Sequence, residues 1–257
     1  EIDSTGNIWT STHLYPQSLS IERVGRKLVQ EGGYFDDAVV KLSPEGELMY
    51  EKSISKLFIE SGLESRLSMI GTDHEFQLDP IHINDVQPVN IDSEYWKKGD
   101  VFISLGHQSM IILFRPSTDE IIWKYDENIF HQHDVDIIND HQIAIFNNNR
   151  KYFYRNPRVV DGHNEVLIYD FKTKEASSYL KEALSREDVR TVSEGRSQIL
   201  PNGDLLIEET NFGRTLYFNS DGSLRWTHVN RAVNGDVYLV AWSRILYTPE
   251  DIEIVNS

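Results

Sequence analysis

Short apolar runs, broken by Gly, Asn, Asp or Pro, recur along the whole chain. Val101-Phe102-Ile103-Ser104-Leu105, Met110-Ile111-Ile112-Leu113-Phe114, Gln142-Ile143-Ala144-Ile145-Phe146 and Asp204-Leu205-Leu206-Ile207-Glu208 are rich in β-branched and aromatic residues. Such runs between turn formers predict strands. Helical periodicity is confined to two stretches of connector length, about Ser53–Ser61 and Ser178–Leu184. The pattern predicts an all-β chain.

The hairpins repeat. Val39 to Tyr50 reads strand, turn, strand, with Ser43-Pro44-Glu45-Gly46 as the turn and an aromatic at the end. Ile111–Trp123, Val166–Tyr179 and Leu216–Trp226 have the same form. The closing aromatics Tyr50, Trp123, Tyr179 and Trp226 recur at intervals that narrow to the ~40–50 residues of a propeller blade, the first interval holding an insertion around Ser53–His74. A second strand pair precedes three of the hairpins, at His82–Leu105, His133–Phe146 and Arg196–Glu208. Four strands per repeat predict a β-propeller of about five blades (four to six), each a four-stranded antiparallel sheet, with residues 1–257 as one domain. Glu1–Thr10 and strands expected in Gly235–Val255 would close the ring in a mixed blade. A β-sandwich with irregular hairpins is the competing architecture.

Composition narrows the function classes. The chain of 257 residues carries 25 Lys and Arg against 41 Asp and Glu, a net charge of −16. Nucleic-acid binding needs clustered cations and is disfavoured. The absence of cysteine excludes disulfides, a thiol nucleophile and thiolate metal sites. No apolar run reaches the ~18 residues of a membrane helix. The opening at Glu1, with no Met and no leader, reads as a processed product, so membrane association would come only through a segment before it.

On a propeller the residues that open each blade converge on the axis. His82 in Asp79-Pro80-Ile81-His82-Ile83-Asn84 and His133 in His131-Gln132-His133-Asp134 lie about one blade apart. His107, in Gly106-His107-Gln108, ends a strand between them, and Arg196 opens the following blade. Three imidazoles and a guanidinium are thereby expected at one cavity. The bland reading of each histidine is a polar side chain paired to backbone.

Taken in order, Asp79-Pro80-Ile81-His82-Ile83-Asn84, Gly106-His107-Gln108, Gln132-His133-Asp134 and Ile145-Phe146-Asn147-Asn148 resemble the bacterial PAPS-independent aryl sulfotransferases. Gln198 to Asp204 and Val240-Ala241-Trp242-Ser243-Arg244 extend the resemblance. It implies sulfuryl transfer from an aryl sulfate to a phenolic acceptor through a sulfohistidine, with no cofactor. By that resemblance His133 is the nucleophile, His82 the proton donor and acceptor, and His107 a sulfuryl ligand or proton-transfer aid. Arg196 would offset sulfuryl charge, and Asn84, Gln108 and Asn147 would contact substrate. A periplasmic or extracellular setting is implied in the same way.

Other readings stay open. The propeller could bind a ligand or protein without catalysis. His131 and His133, placed on one face of a strand, could ligate a metal with His82. Asp134, Asp136 and Asp140 could hold Ca²⁺, though a solvated turn accounts for them more simply. Asn147-Asn148-Asn149-Arg150 could order a substrate or merely serve a turn.

Overall fold

The computed structural model describes residues 1–19, 34–68, 78–151 and 159–247. Strands β1 (Ile8–His13), β2 (Asp37–Leu42) and β3 (Leu48–Ser53) form a three-stranded sheet. A second sheet follows from β4 (Ile83–Pro88), β5 (Val101–Leu105), β6 (Met110–Arg115) and β7 (Glu120–Tyr125), paired in that order. The third repeat contains β8 (Val135–Ile137), β9 (Gln142–Asn147), a small hairpin of β10 (Arg150–Lys151) and β11 (Val159–Val160), then β12 (Glu165–Asp170) and β13 (Glu175–Tyr179). Its sheet runs β8-β9-β12-β13, with the β10–β11 hairpin as an insertion. The fourth is β14 (Arg196–Ile199), β15 (Leu205–Glu209), β16 (Arg214–Phe218) and β17 (Leu224–Val229).

All pairings within these sheets are antiparallel, and the first strands of neighbouring sheets lie together: β1 against β4, and β4 against β8. The fourth sheet brings β14 against β9. The chain is all-β, with four blade-like sheets among the described residues arranged as in a propeller. The expected four-strand repeat holds in three of them. In the first blade the chain leaves β3 directly into the helix Ile54–Glu60, whose Ser53 N-cap accepts the Lys56 N–H at 3.1 Å.

Why the middle strands read as unbroken apolar runs is clear from the packing. Both faces of each blade are covered, so β5 is buried at every position and β6 at all but Arg115. Trp9, Val39, Phe58, Ile103 and Phe114 fill the space between the first two blades. Trp96, Phe102, Leu113, Ile145 and Phe171 fill the next, and Phe146, Val166, Ile207 and Phe218 the third. The outer strands, β7, β13 and β17, have far more exposed positions.

Two expectations change. Among the described residues, 235–247 form no strand, and their one ladder contact is the bridge from Val237 to Arg231. Residues 248–255 and the end of the insertion at His74 lie outside the described residues. The second change concerns His131-Gln132-His133, which precedes β8 rather than lying on it, with His131 at φ 52°. The strand periodicity that would align the two rings for a metal is therefore absent.

Candidate active site

Pairing of Ile83 with Leu105 puts the start of β4 beside the end of β5, so His82 and His107 meet at one end of the second blade. Their rings stack with centroids 4.2 Å apart and planes 19° from parallel. His131 comes edge-on to His107 at 5.9 Å. The β4–β5 register slips between Ile83 and Asp85, leaving Asn84 as a bulge residue. A bulge re-aims its side chain, and here Asn84 Nδ2 donates to the Gln132 carbonyl at 2.8 Å, tying the second blade to the loop that carries His133. Gly106 permits this approach, because a Cβ there would lie 2.3 Å from Asn84 Nδ2.

Two adjoining cavities open at this end. The smaller, about 110 Å³, is lined by His82, His107, His131, His133 and Arg150 among others. The larger, about 270 Å³, is lined by Asp85, Asp134, Arg196, Glu208 and Trp242 among others. Asn84, His133 and Glu194 line both. The larger exceeds the ~150 Å³ of a cavity that admits benzene, so a single aromatic ring has room there.

The two cavities differ in charge. Four imidazoles and one guanidinium surround the smaller, against the single carboxylate of Glu194. The larger is rich in carboxylates. Burial pushes Asp85 up to about 7, with the Asp136 charge adding to it and the Val135 N–H opposing. Burial likewise raises Asp134 well above the usual carboxylate range, Asp136 reinforcing and Arg196 opposing. Arg196 is buried, donates to Asp134 Oδ1 at 3.3 Å and lies 4.7 Å from the centre of the Trp242 ring.

The histidines are driven apart. Burial, and then the charges of His82 and Arg196, lower His133 to about 4, so it is neutral over the physiological range. His82 is raised, first by its hydrogen bond to Asp79 and further by the charges of Asp79 and Asp37, against burial and Arg150. The two imidazoles thus differ in proton affinity although they line one cavity.

Among the described residues, one group of potential metal ligands draws together: Asp79, His82 and His107. Both rings turn Nδ1 to Asp79, His82 at 2.7 Å from Oδ2 and His107 at 3.4 Å from the same oxygen. The geometry is that of hydrogen-bonded imidazoles.

The chain matches the arylsulfotransferase (ASST) family over residues 1–231. It belongs to that family. No curated protein matches it. Solved structures similar to it include the WD40 β-propeller domain of Doa1, at 14% identity and TM-score 0.43 over 81% of this chain and 57% of that one. A protein of unknown function from Bacteroides caccae has 13% identity and TM-score 0.45 over 75% and 59% of the two chains. Virginiamycin B lyase from Staphylococcus aureus has 11% identity and TM-score 0.36 over 85% and 73%. The chain thus spans under two thirds of the first two structures.

Of the residues that the arylsulfotransferase resemblance singled out, His82, His107, His133, Asn84 and Arg196 line the two cavities. Gln108 and Asn147 line neither. Gln108 donates to the carbonyls of Arg66, at 2.9 Å, and Pro80, while Asn147 Oδ1 accepts the Phe130 N–H at 2.9 Å and its Nδ2 donates to Asn128 and Asn149. Both hold loops, which is work for a strand-end amide. Arg150, read from sequence only as part of an Asn-rich turn, opens β10 and lines the smaller cavity with the histidines. Asp79 opened the quoted motif, yet its acceptor role shows only once His82 and His107 are brought to it. Trp242 likewise sat in a quoted segment without a role.

Proposed function

We propose that this chain moves a sulfuryl group from an aryl sulfate to a phenol through His133. The observation that carries the reading is the neutral His133 imidazole on the wall between a cation-lined cavity and a roomier one bordered by Trp242. The sulfuryl oxygens suit the smaller cavity, where the Arg150 guanidinium, and His82 with its raised proton affinity, offset their charge. The aryl ring suits the larger.

In the first half-reaction the His133 lone pair forms an N–S bond while the S–O bond to the aryl oxygen breaks. The departing phenolate takes a proton from His82. In the second, an incoming phenol gives its proton to His82, its oxygen attacks sulfur, and the N–S bond breaks. Charge and protons balance over the cycle, which draws on side chains alone. Arg196, paired with Asp134, orders the wall of the larger cavity and the Trp242 face. A periplasmic or extracellular setting belongs to this proposal and is read by cell fractionation.

The test is phenol-dependent release of chromophore from a chromogenic aryl sulfate, with intact-mass analysis of the protein after donor alone. The expected result is turnover plus a sulfuryl adduct, both abolished in His133→Ala. Turnover retained in that variant, or none in the folded wild type across several donors, overturns the reading.

A further inference from the structure

One carboxylate serves both stacked rings. His82 Nδ1 lies 2.7 Å from Asp79 Oδ2, and His107 Nδ1 lies 2.8 Å from the Asp79 carbonyl oxygen and 3.4 Å from Oδ2. A carbonyl oxygen only accepts, and an ionised carboxylate only accepts. Each Nδ1 therefore carries its proton, which leaves Nε2 as the nitrogen each ring can offer to the smaller cavity it lines.

The arrangement is held at some cost. His82 sits at φ 56°, in the sparsely populated left-handed region, and Asp79 Oδ1 is buried without a hydrogen bond among the described residues. At the start of β4 the Ile83 N–H is taken by Asp37 Oδ2 at 3.1 Å and the His82 carbonyl accepts from Gly106 at 2.8 Å.

We propose that Asp79 is a positioning residue that holds the Nδ1 protons of His82 and His107, so that the stacked pair presents Nε2 atoms to the smaller cavity and carries one transferable proton there. Two cationic rings 4.2 Å apart repel each other, and one carboxylate neutralises only one of them. With the pair singly charged, one Nε2 donates and the other accepts. That is the division needed to protonate a leaving oxygen and later to receive a proton from an incoming hydroxyl.

The charged and titratable groups around the pair are known. Asp37 favours the proton on His82 and Arg150 opposes it. His13 acts on Asp79, His131 meets His107 edge-on, and His133 and Glu194 share the cavity wall. Asp79 stands out as the group that bonds both rings.

The assignment of transfer to this pair rests on the proposed sulfuryl-transfer reading; the hold of Asp79 on the rings does not. Ring-nitrogen NMR of the whole chain, without substrate, reads the tautomer of His82 and His107 directly. The expected result in the wild type is Nδ1–H on both rings when neutral, and in Asp79→Asn a His82 midpoint moved downward. A neutral Nε2–H tautomer on either ring in the wild type, or an unmoved His82 midpoint in Asp79→Asn, overturns the proposal. The wild-type tautomer decides even if the variant fails to fold.

Turnover supplies the second arm. In Asp79→Asn the alkaline fall of kcat/KM should begin at lower pH, with a loss on the order of 10²-fold above it, and Asp79→Glu should restore part of the profile. An unchanged profile in Asp79→Asn removes the positioning role. Absence of transfer in the wild type removes the sulfuryl reading, while the ring-nitrogen result still decides whether Asp79 orders the pair.

Discussion

Asp134 Oδ2 accepts the backbone N–H of Ser197 at 3.0 Å, a reach from one blade to the first strand of the next. Asp85 does the same to Val135 at 3.1 Å, and Asp37 to Ile83 at 3.1 Å. After the fourth blade, Glu208 accepts the N–H groups of Trp242 and Ser243. The residues 235–247 thus meet the fourth blade as a following blade would, although they form no strand. An acidic side chain at each junction sets the spacing of the blades round the candidate site.

Asp134 also accepts from buried Arg196, whose guanidinium lies 3.6 Å from Glu1 Oε1 as well. Asp134→Ala is expected to lower stability by about 1–3 kcal/mol, because it strands the Ser197 N–H and removes one acceptor of a buried guanidinium. Asp134→Asn keeps an acceptor for Ser197 and should lose less. Urea denaturation of both variants checks the difference, and equal losses would contradict the stranding argument.

Asp85 makes stability depend on pH. Its folded-state value of about 7 lies above the ordinary 3.8, so between those limits the folded state binds the extra proton. Stability therefore falls as pH rises from about 4 to 7 on account of this group. Asp85→Asn, which keeps an acceptor for Val135, should melt on the order of 5 °C above the wild type at pH 8. At pH 5 the gap should shrink markedly.

His133 acts in the opposite sense. Its value is lowered to about 4 from 6.5, so the unfolded chain binds more protons between these limits and stability from this group rises with pH across them. His133→Gln should flatten that part of a melting-temperature profile. On the sulfuryl-transfer reading, the rate of adduct formation should fall tenfold per pH unit only below about pH 4. A fall beginning near pH 6.5 would mean that the imidazole is not held in the neutral form.

Gly195, on the wall of the larger cavity, has no room for a side chain. It sits at φ 88°, and a Cβ there would lie 2.6 Å from Thr191 Cγ2 and 2.7 Å from Phe146 Cε1. Gly195→Ala should cost about 2–4 kcal/mol, combining left-handed strain with overpacking against a rigid aromatic. Thermal melting measures it. A loss below about 1 kcal/mol would show that Thr191 and Phe146 yield easily.

Much of the fold was legible in the chain. The apolar runs of β5, β6, β9 and β15 reveal strands buried on both faces, and the turn formers between them mark the hairpins. The short helical periods matched helices at Ile54–Glu60 and Lys181–Arg186. Where the pattern misled, the reason is physical. The apolar residues from 237 to 247 are largely exposed, and among the described residues no strand covers Tyr238 and Leu239, so hydrophobicity there did not signal a ladder.

For the site the division is sharper. Residue types and blade spacing led to the expectation of His82, His107, His133 and Arg196 at one cavity; the structure divides them, with His82 and His107 at the smaller, Arg196 at the larger and His133 on the wall of both. Tertiary structure alone decided their chemistry. Which histidine is neutral depends on burial and on charges that come from other blades. That Asp79 serves two rings depends on the β4–β5 register, and that Arg150 stands beside them depends on where β10 lies relative to the second blade. Sequence spacing encodes position along a repeat, whereas proton affinity and partnership are set by distances between repeats.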